Sequence, residues 1–464
     1  MTEASFQAVI LAAGKGTRMK SDGAKVLFEL MGKPLIGHVA QAALDAGADQ
    51  VVAILGHRRE EVEAYLVENF GERVKTCVQD QQLGTGHAVW CAKDHLDDAP
   101  DYTLILSGDV PMLRGATLQA FVADTLAAQV DLGMMTAVTE DAGSYGRVTR
   151  RDDHVTGVVE FRDATEDEQA IREFNAGVYL ARTTYLREAL AAIMAQQPDN
   201  AQGEYYLTDL VAHAAAAGGV LGWIVDEDEI HGINTRLDLA RRQKALQQRI
   251  NENWALAGVT FLDLDSVYIE ASVALAPDVT LEPNVMLFGA SRIGKGVVIE
   301  QGSTLRDASV DEEAHIKAHS YITQARIGKN AQIGPFAHLR PLAEIGERAK
   351  VGNFVEIKKA RLQTGAKASH LTYIGDAEVG AGANIGAGTI TCNYDGAGKH
   401  RTVIGDGAFI GSGVELVAPV SIGAGATIGA GSTVSRDAPA GELTVSRSRQ
   451  TTVKGWRRPV KKPR

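Results

Sequence analysis

The sequence predicts an α/β domain built on a mostly parallel sheet, then a parallel β-helix, with one long helix between them. Three observations carry this. Short apolar strands alternate with helical stretches through the first 235 residues, the pattern of a sheet covered on both faces. Residues 236–258 (RLDLARRQKALQQRINENWALAG) are charged on most faces and free of proline, as a helix joining two domains would be. From Ile269 to Val434 branched aliphatic residues recur every six positions. Strands of an ordinary sandwich return only every ~8 to 12 residues, so the six-residue period points to stacked coils.

In order, FQAVIL (6–11), VVAILG (51–56), RVKTCV (73–78) and TLILSGD (103–109) read as strands, with PLIGHVAQAALDAGA and REEVEAYLVENF as helices between them. DLGMMTAV, RVTR, VTGVVE and NAGVYL continue the strands, and GEYYLTDLVAHAAAAG reads as a further helix before the domain ends near Thr235. Ligands of such sheets sit beyond the carboxyl ends of the strands. Gly14 and Gly16 follow the first strand there, but neither phosphate-loop template fits: counted from Gly14, both GxxxxGK followed by Ser or Thr and GxGxxG would need glycine where Met19 stands. What remains is a small-residue turn whose amides could approach phosphates, followed by Arg18 and Lys25, or else a plain βα turn. Leu83-Gly84-Thr85-Gly86 forms a second such loop. Asp109 ends a strongly apolar strand, where a hard oxygen donor suits Mg2+ bridging nucleotide phosphates; capping the next helix is the alternative.

The repeat falls into three runs: Ile269 to Leu305, Ile327 to Ile357 and Ile404 to Val434. Two positions before the aliphatics of the second run stand Ala325, Ala331, Ala337, Ala343, Ala349 and Val355, so a small and a bulky residue share one face of each strand. Glycine usually follows the aliphatic (Gly328, Gly334, Gly346, Gly352, Gly405, Gly411, Gly423, Gly429), which suits corners of positive φ. Arg340 and Lys358 take its place, 18 residues apart (358 − 340). On adjacent coils they would stand about 5 Å apart at the backbone. With no carboxylate in their register, two such cations suit a phosphate between them; two solvated basic side chains are the alternative. After Lys358 the frame is lost, and KARLQTGAKASHLTY reads as an inserted functional loop. It holds Tyr373 and His370, a residue type able to take a proton from an attacking amine near neutral pH. TCNYDGAGKHRT (391–402) is a second break.

Composition narrows the classes. A hydrophobic content of 45% supplies real cores. The balance of 47 basic against 58 acidic residues, net −11, argues against a general nucleic-acid or membrane binder. Cys77, Cys91 and Cys392 form no CxxC pair, so neither a disulfide framework nor a zinc site is indicated. No leader-like start and no run of ~18 apolar residues occurs, which predicts a cytoplasmic protein. The tail ending GWRRPVKKPR reads as a solvated basic terminus.

LAAGKGTRMKSDGAKVL, with QLGTGHA, SGDVP, YGRV, VVEFRDAT, NAG, GEYYLTD and GIN following in order, resembles the sugar nucleotidyltransferases. HLTYIGDAEVG and NIGAGTITCNYDG resemble a hexapeptide acetyltransferase signature. Together the chain resembles, over nearly its whole length, the bacterial bifunctional N-acetylglucosamine-1-phosphate uridyltransferase and glucosamine-1-phosphate N-acetyltransferase family. That resemblance implies a left-handed β-helix and the divisions 1–235 (uridyltransferase), 236–258 (linker), 259–446 (acetyltransferase) and 447–464 (basic tail). It implies that Leu11, Ala12, Ala13, Gly14, Arg18, Gln79, Gly84 and Thr85 hold UTP, with Lys25 neutralising phosphate charge. Gly146, Glu160 and Asn175 would hold N-acetylglucosamine, and Asp109 and Asn234 would coordinate Mg2+. Arg340 and Lys358 would bind the phosphate of glucosamine 1-phosphate, with Tyr373 and Asn384 beside it and His370 as base, oriented by Glu356. Asn393 and Tyr394 would complete that pocket toward acetyl-CoA, which Ala387, Ser412, Ala430 and Arg447 would contact. The resemblance also implies a homotrimer. Ser107 and Ala176 depart from an aromatic residue and a threonine found in some relatives. Two other readings stay open: a one-reaction nucleotidyltransferase whose β-helix serves assembly, and a noncatalytic binding scaffold.

Overall fold

A computed structural model describes residues 5–96, 100–217 and 219–461; the last three residues of the basic tail lie outside them. The chain forms two compact units, Met1–Leu246 and Gln247–Arg464.

In the first unit the seven strands of the main sheet lie in the order Val220–Ile224, Leu132–Val138, Glu173–Arg182, Tyr102–Ser107, Phe6–Ala12, Val51–Leu55, Val74–Val78. All neighbours are parallel except Glu173–Arg182, antiparallel to both strands beside it. Phe6–Ala12 and Val51–Leu55 are nearly all apolar because both faces are covered, as parallel sheets require. Leu35–Asp45 and Arg59–Phe70 are helices as their patterns predict. GEYYL is not helical: the helix begins only at Asp209, because Tyr205 is tied to the loop before it, its amide donating to Leu83 O (2.8 Å) and its carbonyl accepting from Gly86 N (2.8 Å).

The second unit is a three-sided coil whose strands stack in three parallel sheets. The first face runs from Thr260–Phe261 to Leu443–Thr444, the second from Tyr268–Ile269 to Thr433–Val434, and the third from Ala274–Leu275 to Val420–Ile422. Their inward aliphatics form one continuous core, onto which Ile250 and Trp254 of the helix Arg236–Leu256 pack.

Three expectations change here. The runs are not separate: Val310, Ile316 and Ile322 join the first to the second as buried members of the same core. KARLQTGAKASHLTY is not an inserted loop, since Arg361–Leu362 and Lys367–His370 are regular strands; the coil is only one residue short, Ile357 being followed by Leu362. Of the glycines after the aliphatic only Gly334 has positive φ (91°). Gly328, Gly346 and Gly352 are absent from the positive-φ residues; a Cβ on them would meet the next coil's backbone at 2.9, 2.7 and 1.9 Å. Positive φ falls two positions later, as at Asn330 and Arg348. These glycines permit close stacking.

Candidate active sites

At the carboxyl edge of the first unit's sheet, the turn after Ala12 lies beside Gly108 and Asp109, since Leu11 pairs with Ser107 and Gly108 N donates to Leu11 O at 2.9 Å. Gly16 adopts left-handed φ (61°), and a Cβ there would lie 2.5 Å from that of Lys25, so glycine lets the turn fold over the lysine. Lys25 Nζ forms an ion pair with Asp109 Oδ2 and donates to Asn234 Oδ1 (3.1 Å), which also accepts from Arg18 Nη2 (2.8 Å). The loop carrying Asn234 is gripped on three sides: Ile233 N donates to Asp109 O (2.9 Å), Gly232 N to the Tyr145 hydroxyl (3.1 Å), and Asn234 N and Thr235 N to Asp238 Oδ2 (3.1 and 2.8 Å). Burial would raise the Asp238 carboxyl, but the Thr235 hydroxyl and these amides hold it below its usual range. A carboxylate oxygen and an amide oxygen thus converge on one cation, the ammonium of Lys25, and hard oxygens so placed fit Mg2+.

The second glycine loop behaves differently from the expectation of free amides. Gly86 N is spent on Tyr205 O, the Thr85 hydroxyl accepts from Leu207 N (3.0 Å), and Gly84 O accepts from the buried Gln79 (3.1 Å). Gly84 is required because a Cβ would lie 2.5 Å from Tyr205 O. Gly146, Glu160 and Asn175 come together: Asn175 N donates to Gly146 O (2.9 Å), and Glu160 Oε2 lies 3.6 Å from where a Gly146 Cβ would stand. The Asn175 side chain is held by Tyr179 and by Gly177 N at 2.7 and 3.0 Å. Burial raises the Glu160 carboxyl, against the hydrogen bond from Thr208.

On the β-helix, Arg340 and Lys358 do stand in register on the second face, Arg340 N donating to Ile357 O. They are not exceptions to a glycine rule, for the corner after this face carries side chains on five successive coils, Phe288, Arg306, Thr323, Arg340 and Lys358, before Gly375. The expectation that no carboxylate faces them is corrected: Arg340 Nη1 pairs with Glu356 Oε1 at 2.7 Å. That commits Glu356, and His370 is bound by Asn353 instead, Nδ1 to Oδ1 at 2.9 Å. Lys358 faces Lys399 on the loop between the second and third faces; hydrogen bonding and charge from Lys399, then Arg340, push its ammonium below the usual lysine range. Above Lys358 sits Gly375, where a Cβ would meet the Tyr373 hydroxyl (2.4 Å) and Asn393 Nδ2 (2.8 Å), so glycine lets both close over the cations. Asn393 is buried and donates to Asp376 Oδ2 (2.7 Å), whereas Tyr394 is exposed on a hairpin.

Asn353, His370, Ala387, Ser412 and Ala430 each follow an inward residue of the first face by two positions, forming one column at its corner. Gly413 N donates to Ala387 O (2.7 Å), Gly431 N to Ser412 O (2.9 Å), and Arg447 Nη1 to Ala430 O (2.6 Å), closing the column. Asn384 lies on the first face, outward in the row of Lys367 and Phe409. Sequence reasoning missed Asn353, Gly375 and Lys399. Writing the coils in register would have revealed the first two; Lys399 depends on the fold of a loop.

A family described as the MobA-like NTP transferase domain matches residues 8–203, and the bacterial transferase hexapeptide family (six repeats) matches residues 325–359 and 401–436. Three relatives bear the name bifunctional protein GlmU. That of Syntrophotalea carbinolica is 46% identical over 459 residues, 98% of each chain. That of Trichlorobacter lovleyi is 45% identical over 452 residues, 97% of each. That of Sorangium cellulosum is 48% identical over 455 residues, 97% of this chain and 95% of its own.

Proposed function

This chain belongs to the bifunctional GlmU family, and from that membership we propose how its residues divide two reactions. It is an enzyme that acetylates glucosamine 1-phosphate from acetyl-CoA and then joins the product to the uridylyl group of UTP, giving UDP-N-acetylglucosamine, a cell-wall precursor. A β-helix used only for assembly is not favoured.

Acetyl transfer falls to the second unit, residues 259–446 in our assignment. The amine nitrogen attacks the thioester carbonyl, the C–N bond forms as the C–S bond breaks, and the amine proton passes to His370. Arg340, Lys358 and Lys399 hold the sugar phosphate: three cations gathered with two carboxylates, Glu356 and Asp376, leave an excess of positive charge that suits an anion. Tyr373, Asn384, Asn393 and Tyr394 border that pocket. Acetyl-CoA runs along Ala387, Ser412 and Ala430 to Arg447, small residues leaving room for the chain. The column that aligns these positions with His370 is the observation that carries the assignment.

Uridylyl transfer falls to residues 1–235, with 236–258 as linker. A phosphate oxygen of N-acetylglucosamine 1-phosphate attacks the α-phosphorus of UTP, and the bond to the β-phosphate oxygen breaks, releasing pyrophosphate. Such a transfer needs alignment and neutralised charge more than covalent help. Leu11 to Gly14, Gln79, Gly84 and Thr85 seat the nucleotide, and Gly146, Glu160 and Asn175 the sugar. Lys25 and Arg18 meet the phosphates. Asp109 and Asn234 would hold Mg2+, whose charge would neutralise phosphate oxygens. We read the protein as cytoplasmic, where UTP and acetyl-CoA are available. We also read it as a homotrimer: Phe336, Phe354 and Leu371, 48, 56 and 61% exposed, form an apolar ridge beside His370 that a second copy would cover.

The test supplies glucosamine 1-phosphate, acetyl-CoA, UTP and Mg2+, omits each in turn and weighs the products. His370→Ala is expected to abolish acetyl transfer and spare uridylyl transfer, and Asp109→Ala to do the reverse. Loss of both activities from a folded variant would refute separate sites.

A further inference from the structure

We infer that Asn353 is a positioning residue that sets the tautomer of His370, keeping the proton on Nδ1 and leaving Nε2 to receive the amine proton. This rests on His370 being the base. Asn353 and His370 are register partners on adjacent coils, and the amide Oδ1 lies 2.9 Å from Nδ1. An amide oxygen can only accept, so the proton of that bond belongs to the ring. In a neutral imidazole the other nitrogen then carries the lone pair.

The backbone fixes this spacing. Gly352, just before Asn353, runs so close to the next coil that a Cβ would stand 1.9 Å from Ser369 O. The His370 carbonyl accepts from the Thr372 hydroxyl at 2.7 Å and from Gly388 N at 3.4 Å. Ring and amide are therefore presented from two segments that cannot slide past each other.

The choice of an amide has its own consequence. A carboxylate at 353 would hold the same tautomer but would also favour the imidazolium, and a base already protonated cannot act. The charged groups around His370 are Lys350 and Lys367, three residues before Asn353 and His370 on their strands, and, on the strand that follows Asn353, Glu356, which Arg340 engages, and Lys358. Asn384, on the coil above, is neutral.

The full-length protein is assayed for acetyl transfer across pH as wild type, His370→Ala, Asn353→Ala and Asn353→Asp. Asn353→Ala is expected to lower kcat ~10- to 100-fold with the KM for acetyl-CoA changed less than about twofold. Asn353→Asp is expected to recover most of kcat at high pH, with the acidic limb of the profile about one pH unit higher. That recovery shows that substitution at 353 leaves the site folded. An Asn353→Ala variant with wild-type kcat, or an Asn353→Asp profile whose limb stays in place, overturns the inference while His370→Ala remains inactive. If His370→Ala itself keeps acetyl transfer, the base assignment falls first and takes this one with it.

Discussion

Burial raises the carboxyl of Glu160, and a single hydrogen bond from the Thr208 hydroxyl, 3.2 Å away, does not cancel it. A folded carboxyl that ionises above its unfolded value binds more protons than the unfolded chain across that window, so stability falls as pH rises through it and stays lost above. Glu160→Gln removes that cost. Its melting temperature at pH 7 to 8 should match or exceed the wild type, and its KM for N-acetylglucosamine 1-phosphate should rise, because the side chain is placed for the sugar rather than for folding. Thermal denaturation and initial rates check the two halves; a lower melting temperature would contradict the first. Burial also pushes the Cys77 thiol up to about 12, so little thiolate is present near neutrality. A disulfide reagent at pH 8 should leave Cys77 unlabelled in the native protein and label it in denaturant, as peptide mass mapping would show. Individual residues were legible where their chemistry breaks a pattern. Lys25, Asp109, Arg340, Lys358 and His370 drew attention as charge or imidazole among small and apolar neighbours. Asn353 did not, because an asparagine in a glycine-rich repeat reads as a turn residue, and its role exists only in register with His370.

Glycine does two jobs in the coil, and they can be separated. Gly352→Ala would drive a methyl group into Ser369 O and should cost on the order of 3 kcal/mol, since the stacked backbones cannot part locally. Gly413→Ala meets open space but holds φ at 64°, and should cost about 1 kcal/mol. Denaturant unfolding of both variants ranks them; equal costs would remove the distinction. The repeat revealed the element but misplaced its glycines, because a sequence shows that a position is small without showing whether the reason is φ or proximity. The six-residue period also overstated breaks, as one missing residue hid the strands Arg361–Leu362 and Lys367–His370. The reverse error occurred at GEYYL, where helix-forming side chains continue a helical pattern but the backbone is claimed by Leu83 and Gly86. Tertiary hydrogen bonds outweigh local propensity there.

At the scale of the whole molecule, each unit has cores of its own, two in the first and one running the length of the coil in the second. Residues 1–256 should therefore fold alone and transfer uridylyl groups without acetylating, which expression of that fragment and product analysis would check. The domain plan was readable because the two halves obey different periods. How far each surface serves assembly was not, since covering an exposed ridge is a property of several chains.

Between Leu275 and Val434, length variation in the coil is confined to one corner. Over that span, inward residues are six apart from first face to second and from third to first; only from second to third does the step change, to five (305 to 310, 322 to 327, 357 to 362, 374 to 379) or to thirteen (391 to 404). This is also the corner without stacking glycines, and it carries Arg340, Lys358 and Lys399. It works as a splice point: new sequence can enter there without disturbing the winding, so that this protein's chemistry can be rewritten by grafting while its spool stays the same. A flexible graft of about seven residues after Arg306 should leave cooperative unfolding intact, whereas the same graft after Gly328 should abolish it.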